Sequence, residues 1–160
     1  MNIYLASDHG GFALKEVVKK HLIALGHEVL DCGNHVYDAA DDYPDFVKRA
    51  AELVHENPNS RGIIFGGSGQ GEAMVANRFT GVRCMLFYGP VLPKASMDLG
   101  GSLSTDPFEN IRTSREHNDS NMLSLGARLM TEEEALHAVD IWLTTPFTGE
   151  ERHARRIKKF

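Results

Sequence analysis

Four glycines and a glutamate follow an apolar run in the stretch IIFGGSGQGEAM, residues 63–74. A glycine-rich turn between a strand and a helix commonly holds an anion, because backbone N–H groups at a helix N-terminus point outward and carry partial positive charge. Gly67, Gly69 and Gly71 would form this amide nest, with Ser68 inside it. Glu72 would lie in the first helical turn as an ionised base. The stretch therefore predicts a base beside an anion hole.

The spacing of these glycines excludes the two common nucleotide-binding motifs. A Walker P-loop requires GxxxxGK[ST], and no lysine lies between Arg49 and Lys94. The dinucleotide motif GxGxxG is not matched either, and Glu72 would repel a pyrophosphate. Structural alternatives stay open, since Ser68 can complete a tight turn and Glu72 can complement the helix dipole, an effect of about 0.3 to 1 kcal/mol. The dipole role does not require the glycines.

Two further polar groups stand next to expected strands. Asp8 and His9 follow the first apolar run, and such a pair can transfer protons to and from a sugar hydroxyl, as ring opening requires. The structural alternative is a helix cap and a loop histidine. His117, a candidate acid or base, and Asn118, a candidate amide donor, lie in REHNDSN, residues 115–121. We expect a third active-site loop there, with an Asx-rich turn as the alternative.

The C-terminal sequence ERHARRIKKF carries five basic residues. On a helix, Arg152, Arg156 and Lys159 share one face, and arginine binds phosphate oxygens in a bidentate manner. The segment predicts a phosphate clamp; a solvated basic terminus that complements its own helix dipole is the alternative.

The chain has 160 residues and a formal net charge of -5, which fits one domain, 1–160. This charge argues against general binding to nucleic acid or membranes, so an anionic ligand needs a local basic patch. Cys32 and Cys84 form no CxxC pair and indicate a reducing, cytoplasmic location with buried, inert thiols. No apolar stretch approaches the length of a membrane span.

The acidic segment HVYDAADD, residues 35–42, is a conceivable metal site. Its spacing matches no strong metal motif, so we expect a solvated loop and no metal. A metal-dependent hydrolase built on Asp8, His9 and the acidic loop 38–42 is the alternative, and a chelator would inactivate it.

Apolar runs of strand length alternate with segments of helical period, which predicts an α/β fold. The expected strands are 3–7, 28–31, 62–65, 82–87 and 121–125. The expected helices are 12–25, 44–55, 71–79, one after Pro90, and 131–143, the last opened by a capping box from Thr131 to Glu134. Together they make a single doubly wound domain with a five-stranded parallel sheet between helices. For the strand order 2-1-3-4-5, ligands bind between strands one and three, near Asp8 and Glu72.

A phosphate clamp, an acid–base pair, a carboxylate base and an amide nest together fit an aldose–ketose isomerase that works through an enediolate. Four motifs also resemble the ribose-5-phosphate isomerase B family, which includes galactose- and allose-6-phosphate isomerases. They are SDHGGFALK, GGSGQGEAMVANRFTGVR, HNDSNMLSLGAR and RHARR, in order over nearly the full chain. The resemblance implies a flavodoxin-like, Rossmann-type sheet, a phosphorylated sugar as substrate and no metal or organic cofactor. It also implies a homodimer with shared active sites, or a tetramer.

The resemblance assigns catalytic roles to residues of these motifs. Asp8 and His117 would open the sugar ring, and Ser68 would lie close to the substrate hydroxyls. Part of the family has a catalytic cysteine at the position of Gly66, and another part has a glutamate at that of Glu72. This sequence is similar to the second part, so Glu72 is the expected base.

The resemblance also assigns binding roles. Asn118 and the amides of Gly67 and Gly71 would surround the enediolate. The phosphate would be bound by His9, Arg128, Arg152 and Arg156.

Two segments bear on the substrate and the assembly. Residues 90–114 are longer than in the family and are expected to be a loop insertion, and 148–160 is expected to be a basic helix. Interconversion of ribose 5-phosphate and ribulose 5-phosphate is the expected reaction. The insertion leaves allose or galactose 6-phosphate as alternative substrates. A non-catalytic sugar-phosphate-binding module of the same fold is a further alternative.

Overall fold

Five parallel strands form one sheet in the order β2-β1-β3-β5-β4. The computed structural model describes residues 1–98 and 101–160. The strands are β1 (Asn2–Ser7), β2 (Glu28–Asp31), β3 (Arg61–Gly66), β4 (Cys84–Phe87) and β5 (Met122–Gly126). The helices are α1 (Phe12–Ala24), α2 (Tyr43–Glu56), α3 (Gln70–Ala76), α4 (Glu109–Asn118), α5 (Glu132–Thr144) and α6 (Glu151–Ile157). The predicted α/β class with a five-stranded parallel sheet is confirmed.

The two faces of the sheet bury alternate residues of each strand. Ile3 and Leu5 of β1 pack in a core with residues of α1, α4 and α5, whereas Tyr4 and Ala6 pack against α2 and α3. This is the period-two alternation of a strand that is covered on both faces. The sheet is therefore held between two helical layers, and the connecting loops lie at the two ends of the strands.

The strand order differs from the predicted 2-1-3-4-5. β5 lies between β3 and β4, with Gly66 of β3 next to Gly126 of β5. All five residues of β5 are buried, whereas three of the four residues of β4 are only half-buried, as suits an edge strand. Because β5 is the neighbour of β3, the turn after β5 lies directly beside the amide nest.

The segment between β4 and β5 also differs from the prediction. No helix forms in the described parts of 90–108, and the irregular segment ends before 114 because α4 begins at Glu109. Only Ile111, Ser114 and Arg115 are buried in α4, so the helix shows almost no apolar periodicity in the sequence. Residues 99 and 100 of the predicted insertion lie outside the described residues.

Two helix ends bear on the predictions near the C-terminus. The capping box of α5 is confirmed: Thr131 accepts from the backbone N–H of Glu134, and the Glu134 side chain accepts from the backbone N–H of Thr131. α6 occupies Glu151–Ile157 within the predicted range 148–160. In the part of the chain that the structure describes, no helix is both long and apolar enough to cross a membrane.

Candidate active site

The amide nest lies between β3 and α3 and is fixed by contacts with β5. Gly69 precedes α3 with a φ of 74°, a left-handed conformation that favours glycine. Its carbonyl accepts a hydrogen bond from the Ser124 hydroxyl at 2.7 Å. A Cβ on Gly126 would lie 2.8 Å from the carbonyl oxygen of Ser68, so the turn crosses directly over the end of β5. The nest is therefore built on a rigid strand rather than on a free loop.

Glu72 fills the space above Gly66. A Cβ atom on Gly66 would overlap the Glu72 carboxylate, so a side chain at position 66 and this placement of Glu72 exclude each other. Glu72 is only 4% exposed. Burial raises the pKa of Glu72; a backbone N–H opposes this shift and the nearby Asp8 carboxylate adds to it. A carboxylate kept partly desolvated in this way is suited to general-base chemistry.

A crevice of about 600 Å³ opens beside Glu72. We call it the base crevice. Its wall includes the predicted residues Gly67, Ser68, Gly71, Glu72 and Arg128. Arg128 packs over Gly67: its backbone N–H donates to the Gly67 carbonyl at 3.1 Å, and a Cβ on Gly67 would lie 3.4 Å from the guanidinium. The structure thus brings a cation, the amide nest and a carboxylate to one crevice.

The turn after β1 lies against the nest. Asp8 is buried and accepts a hydrogen bond from the backbone N–H of Gly11 at 3.2 Å, while His9 is partly exposed. A Cβ on Gly10 would lie 2.9 Å from the backbone nitrogen of Gly67, so the two turns meet at their glycines. Asp8 and His9 therefore lie next to the amide nest, where the predicted crevice between strands one and three was expected.

Asp41 orients His9, whereas in the sequence it was named only as part of a conceivable metal site. One oxygen, Oδ1, accepts from the backbone N–H of His9 at 3.0 Å and lies 2.7 Å from its Nδ1. The other, Oδ2, accepts from the Asn34 amide at 2.5 Å. Burial works against the charge of Asp41, but these hydrogen bonds hold its pKa below the usual value. The Asp41 carboxylate holds the Nδ1 side of the His9 ring, which fixes the orientation of the imidazole and directs Nε2 away from Asp41.

Tyr43 is a second site residue that sequence reasoning missed. It lines the base crevice, and a Cβ on Gly71 would lie 2.6 Å from its hydroxyl. The signal in the sequence was weak, because an aromatic residue at the start of an amphipathic helix is more often part of the core. Gly71 must lack a side chain for Tyr43 to reach the crevice.

His117, Arg152 and Arg156 lie elsewhere in the chain. Together with His153 they line a second cavity of about 320 Å³, which we call the arginine pocket. The rings of His117 and His153 stack at 4.1 Å between centroids. His117 is in the last turn of α4, which leads to the start of β5, whereas Glu72 follows the end of β3. Since β3 and β5 are parallel, the two residues lie at opposite ends of the strands, and a five-residue strand such as β5 is about 17 Å long.

Two expectations for the segment 115–121 are therefore corrected. His117 and Asn118 lie in helix α4 and not in a loop, and they are not beside Glu72 in this chain. Asn118 lines a third cavity with Arg83, whose Nε donates to the Asn118 carbonyl at 2.9 Å. The polar sequence of α4 resembles a turn because its buried Arg115 is satisfied by hydrogen bonds, including one to the Ser120 carbonyl at 2.6 Å, instead of by apolar contacts.

One group of side chains in the described residues has the geometry of a cation site. One ligand atom from each of Asp8, His9 and Asp41 lies within 4.8 Å of the others. Asp41 already accepts hydrogen bonds from His9 and Asn34, so the group is satisfied without a cation. The thiols are poor ligands and nucleophiles, since burial raises the pKa of Cys32 to about 11 and raises that of Cys84 as well.

The family model described as Ribose/Galactose Isomerase matches residues 3–97 and 103–160. The chain belongs to this family. Ribose-5-phosphate isomerase B of Mycolicibacterium paratuberculosis is 41% identical over 157 residues, which cover 98% of this chain and 87% of that protein. The Ribose/Galactose Isomerase family also accounts for the fold, because its solved members share the arrangement of strands and helices.

Two solved structures illustrate this similarity. Ribose-5-phosphate isomerase B from Mycoplasma genitalium with bound ribulose-5-phosphate has a TM-score of 0.84 at 34% identity, covering 99% of this chain and 92% of that one. The Clostridium thermocellum ribose-5-phosphate isomerase B has a TM-score of 0.84 at 37% identity, covering 99% and 94%.

The first prediction concerns the burial of Glu72. Glu72→Gln should lower turnover by about 100- to 10,000-fold, because an amide cannot accept the proton. It should also raise Tm near neutral pH. Folding raises the pKa of Glu72 above its ordinary value of 4.5, so the protonated carboxyl group contributes fully to stability when the pH is below 4.5. This stabilising contribution is lost as the pH rises through the higher pKa of the folded state. The gain in Tm should therefore disappear on acidification.

Glu132→Gln is the matched control, since Glu132 is an exposed glutamate in the first turn of α5. It should leave activity unchanged and should not raise Tm. If Glu72→Gln behaved in the same way, Glu72 would serve the helix dipole alone.

The second prediction concerns the orientation of His9. Asp41→Asn should lower kcat/KM by about 10- to 100-fold, because a misplacement of about 1 Å has effects of this size. The change should have no further effect in a His9→Ala background. Asp42→Asn is the control, since Asp42 is exposed and its side chain makes no capping bond to α2. A loss that persists without His9 would show that Asp41 acts independently of it.

Proposed function

We propose that this chain interconverts ribose 5-phosphate and ribulose 5-phosphate through an enediolate, with Glu72 as the base. The observation that carries the proposal is the Glu72 carboxylate, buried over Gly66 beside the amide nest. Glu72 takes the C2 proton of the open-chain aldose and returns it to C1, while a second proton passes from the C2 hydroxyl to the C1 oxygen, and together these transfers give the ketose. The nest amides, together with Asn118 contributed by a second copy of the chain, stabilise the negative charge that develops on the C1 and C2 oxygens.

The other residues divide into ring opening and substrate binding. Asp8 and His117 move the protons that open the furanose ring, and Ser68 binds a substrate hydroxyl. His9, Arg128, Arg152 and Arg156 bind the dianionic phosphate, for which guanidinium groups are suited. The proposed reaction consists of proton transfers only, so it needs no metal or organic cofactor.

We further propose a homodimer in which each active site uses both chains, alone or within a tetramer. Each chain carries two incomplete halves: the base crevice holds Glu72, and the arginine pocket holds His117. Met74 and Leu129 on the wall of the base crevice are 69% and 56% exposed, and a partner chain would cover them. The two free cysteines agree with a reducing compartment, and we place the protein in the cytoplasm.

The third prediction tests the reaction and the substrate. In deuterated water, ribose 5-phosphate should exchange its C2 proton and be converted, with or without a chelator. The value of kcat/KM should exceed that for allose or galactose 6-phosphate, because an extra carbon between a fixed base and a fixed phosphate clamp misplaces the reacting atoms. Binding without exchange would indicate a non-catalytic module, and loss of activity with the chelator would indicate a metal-dependent hydrolase. A six-carbon preference would reassign the substrate.

The fourth prediction tests the shared site by mixing inactive subunits. Glu72→Gln and His117→Ala chains should regain about one quarter of wild-type activity after exchange, because half of the dimers are mixed and each has one intact site of two. Mixing Glu72→Gln with Asp8→Asn should give no rescue, since both changes lie in the same half. Full activity of a monomer in sedimentation would contradict a shared site.

A further inference from the structure

The segment between β4 and α4, which we call the 90–108 segment, contributes Ser96, Met97 and Asp98 to the wall of the arginine pocket. Its ends are joined by a hydrogen bond from the Val91 N–H to the Pro107 carbonyl at 2.8 Å. Within it, the Ser96 hydroxyl donates to the Asp98 carbonyl at 2.8 Å and accepts from the Asp98 N–H at 3.2 Å. These bonds hold the backbone of Asp98 in a turn at the mouth of the pocket.

Asp98 binds the arginine that the proposed function assigns to the phosphate. Its Oδ1 accepts from Nη2 of Arg152 at 2.6 Å, across 54 residues of sequence. The Nε of Arg152 donates to Glu150 at 2.8 Å, a local contact two residues away. Both the Nε and the Nη2 donors of the guanidinium are therefore taken by carboxylates.

The charges around the pocket make Asp98 unusual. The arginine pocket is lined by Ser96, Met97, Asp98, His117, Arg152, His153 and Arg156. Asp98 is the one acidic residue in this lining, and it comes from the 90–108 segment. A carboxylate and a phosphate offer a guanidinium the same kind of oxygen acceptor, and two anions on one guanidinium repel each other.

We propose that Asp98 is a competitor for substrate phosphate: its carboxylate occupies Arg152 in the unliganded protein, and the phosphate must displace it to bind. The 90–108 segment thereby sets the affinity of the arginine pocket for phosphorylated ligands. This inference rests on the proposed function, because that function assigns the phosphate to Arg152. It goes beyond that function by giving a role to Asp98, to which the proposed reaction assigns none.

Inorganic phosphate is the probe, with its Kd measured by calorimetry in the absence of turnover. Asp98→Asn should tighten binding about two- to five-fold, the range expected for loss of one exposed ion pair. KM for ribose 5-phosphate should fall by a similar factor with kcat unchanged. Asp106→Asn is the matched control, because Asp106 lies in the same segment but pairs with Arg112 at 2.9 Å, outside the pocket lining. It should leave Kd unchanged.

A double-mutant cycle with Arg152→Ala separates competition from a general charge effect. Asp98→Asn should have no effect on phosphate binding once Arg152 is removed. Equal tightening in both backgrounds, unchanged or weaker binding in Asp98→Asn, or unaltered binding in Arg152→Ala would each overturn the inference.

The proposed function fails separately, if the wild-type protein shows no proton exchange with ribose 5-phosphate. In that case a double-mutant cycle with the expected pattern of phosphate binding would leave the role of Asp98 intact. If the protein does exchange the C2 proton but the double-mutant cycle does not show the expected pattern, only the role of Asp98 is overturned.

Discussion

The site depends on one steric constraint: the Glu72 carboxylate occupies the volume that a side chain at Gly66 would fill. This contact removes the carboxylate from water and raises its pKa, which costs folding free energy at neutral pH. The cost is tolerated because the surrounding backbone is fixed on both sides. Ser124 holds the carbonyl of Gly69 from β5, and Gly126 leaves room for the turn to cross the strand end. A base with a shifted pKa is thus a consequence of close backbone packing at the end of β3.

The parallel sheet explains why the remaining polar groups separate into two halves. Turns that follow strands gather at one end of the sheet, and α4 carries His117 back to the other end before β5 begins. No rearrangement of loops within one chain brings these ends together, because the strands between them are buried and rigid. The proposed homodimer would join the proposed base to the proposed acid and phosphate clamp, and the exposed apolar side chains beside the base crevice suit such a contact.

The proposed role of Asp98 concerns the electrostatics of the arginine pocket. Arg152 is held by carboxylates on the Nε and Nη2 sides of its guanidinium, whereas Arg128 in the base crevice packs over the glycine backbone of Gly67. The guanidinium groups of the two arginines therefore differ in their availability for binding an anion. An acidic side chain such as Asp98 can tune the affinity of a basic pocket for anions by competing for one guanidinium.

The sequence by itself determined the features that depend on local pattern. Alternating apolar runs indicated the parallel sheet, the TEEE segment indicated a capped helix, and the spacing of Gly67, Gly69 and Gly71 indicated an amide nest beside Glu72. Only the tertiary structure decided the features that depend on contacts between distant segments. It placed β5 beside β3, and it made α4 a helix whose buried Arg115 replaces apolar contacts with hydrogen bonds. It also joined Asp41 to His9 and separated His117 from Glu72. The physical reason is that hydrophobic period and turn chemistry act over a few residues, whereas strand order and side-chain partners are selected by packing across the whole domain.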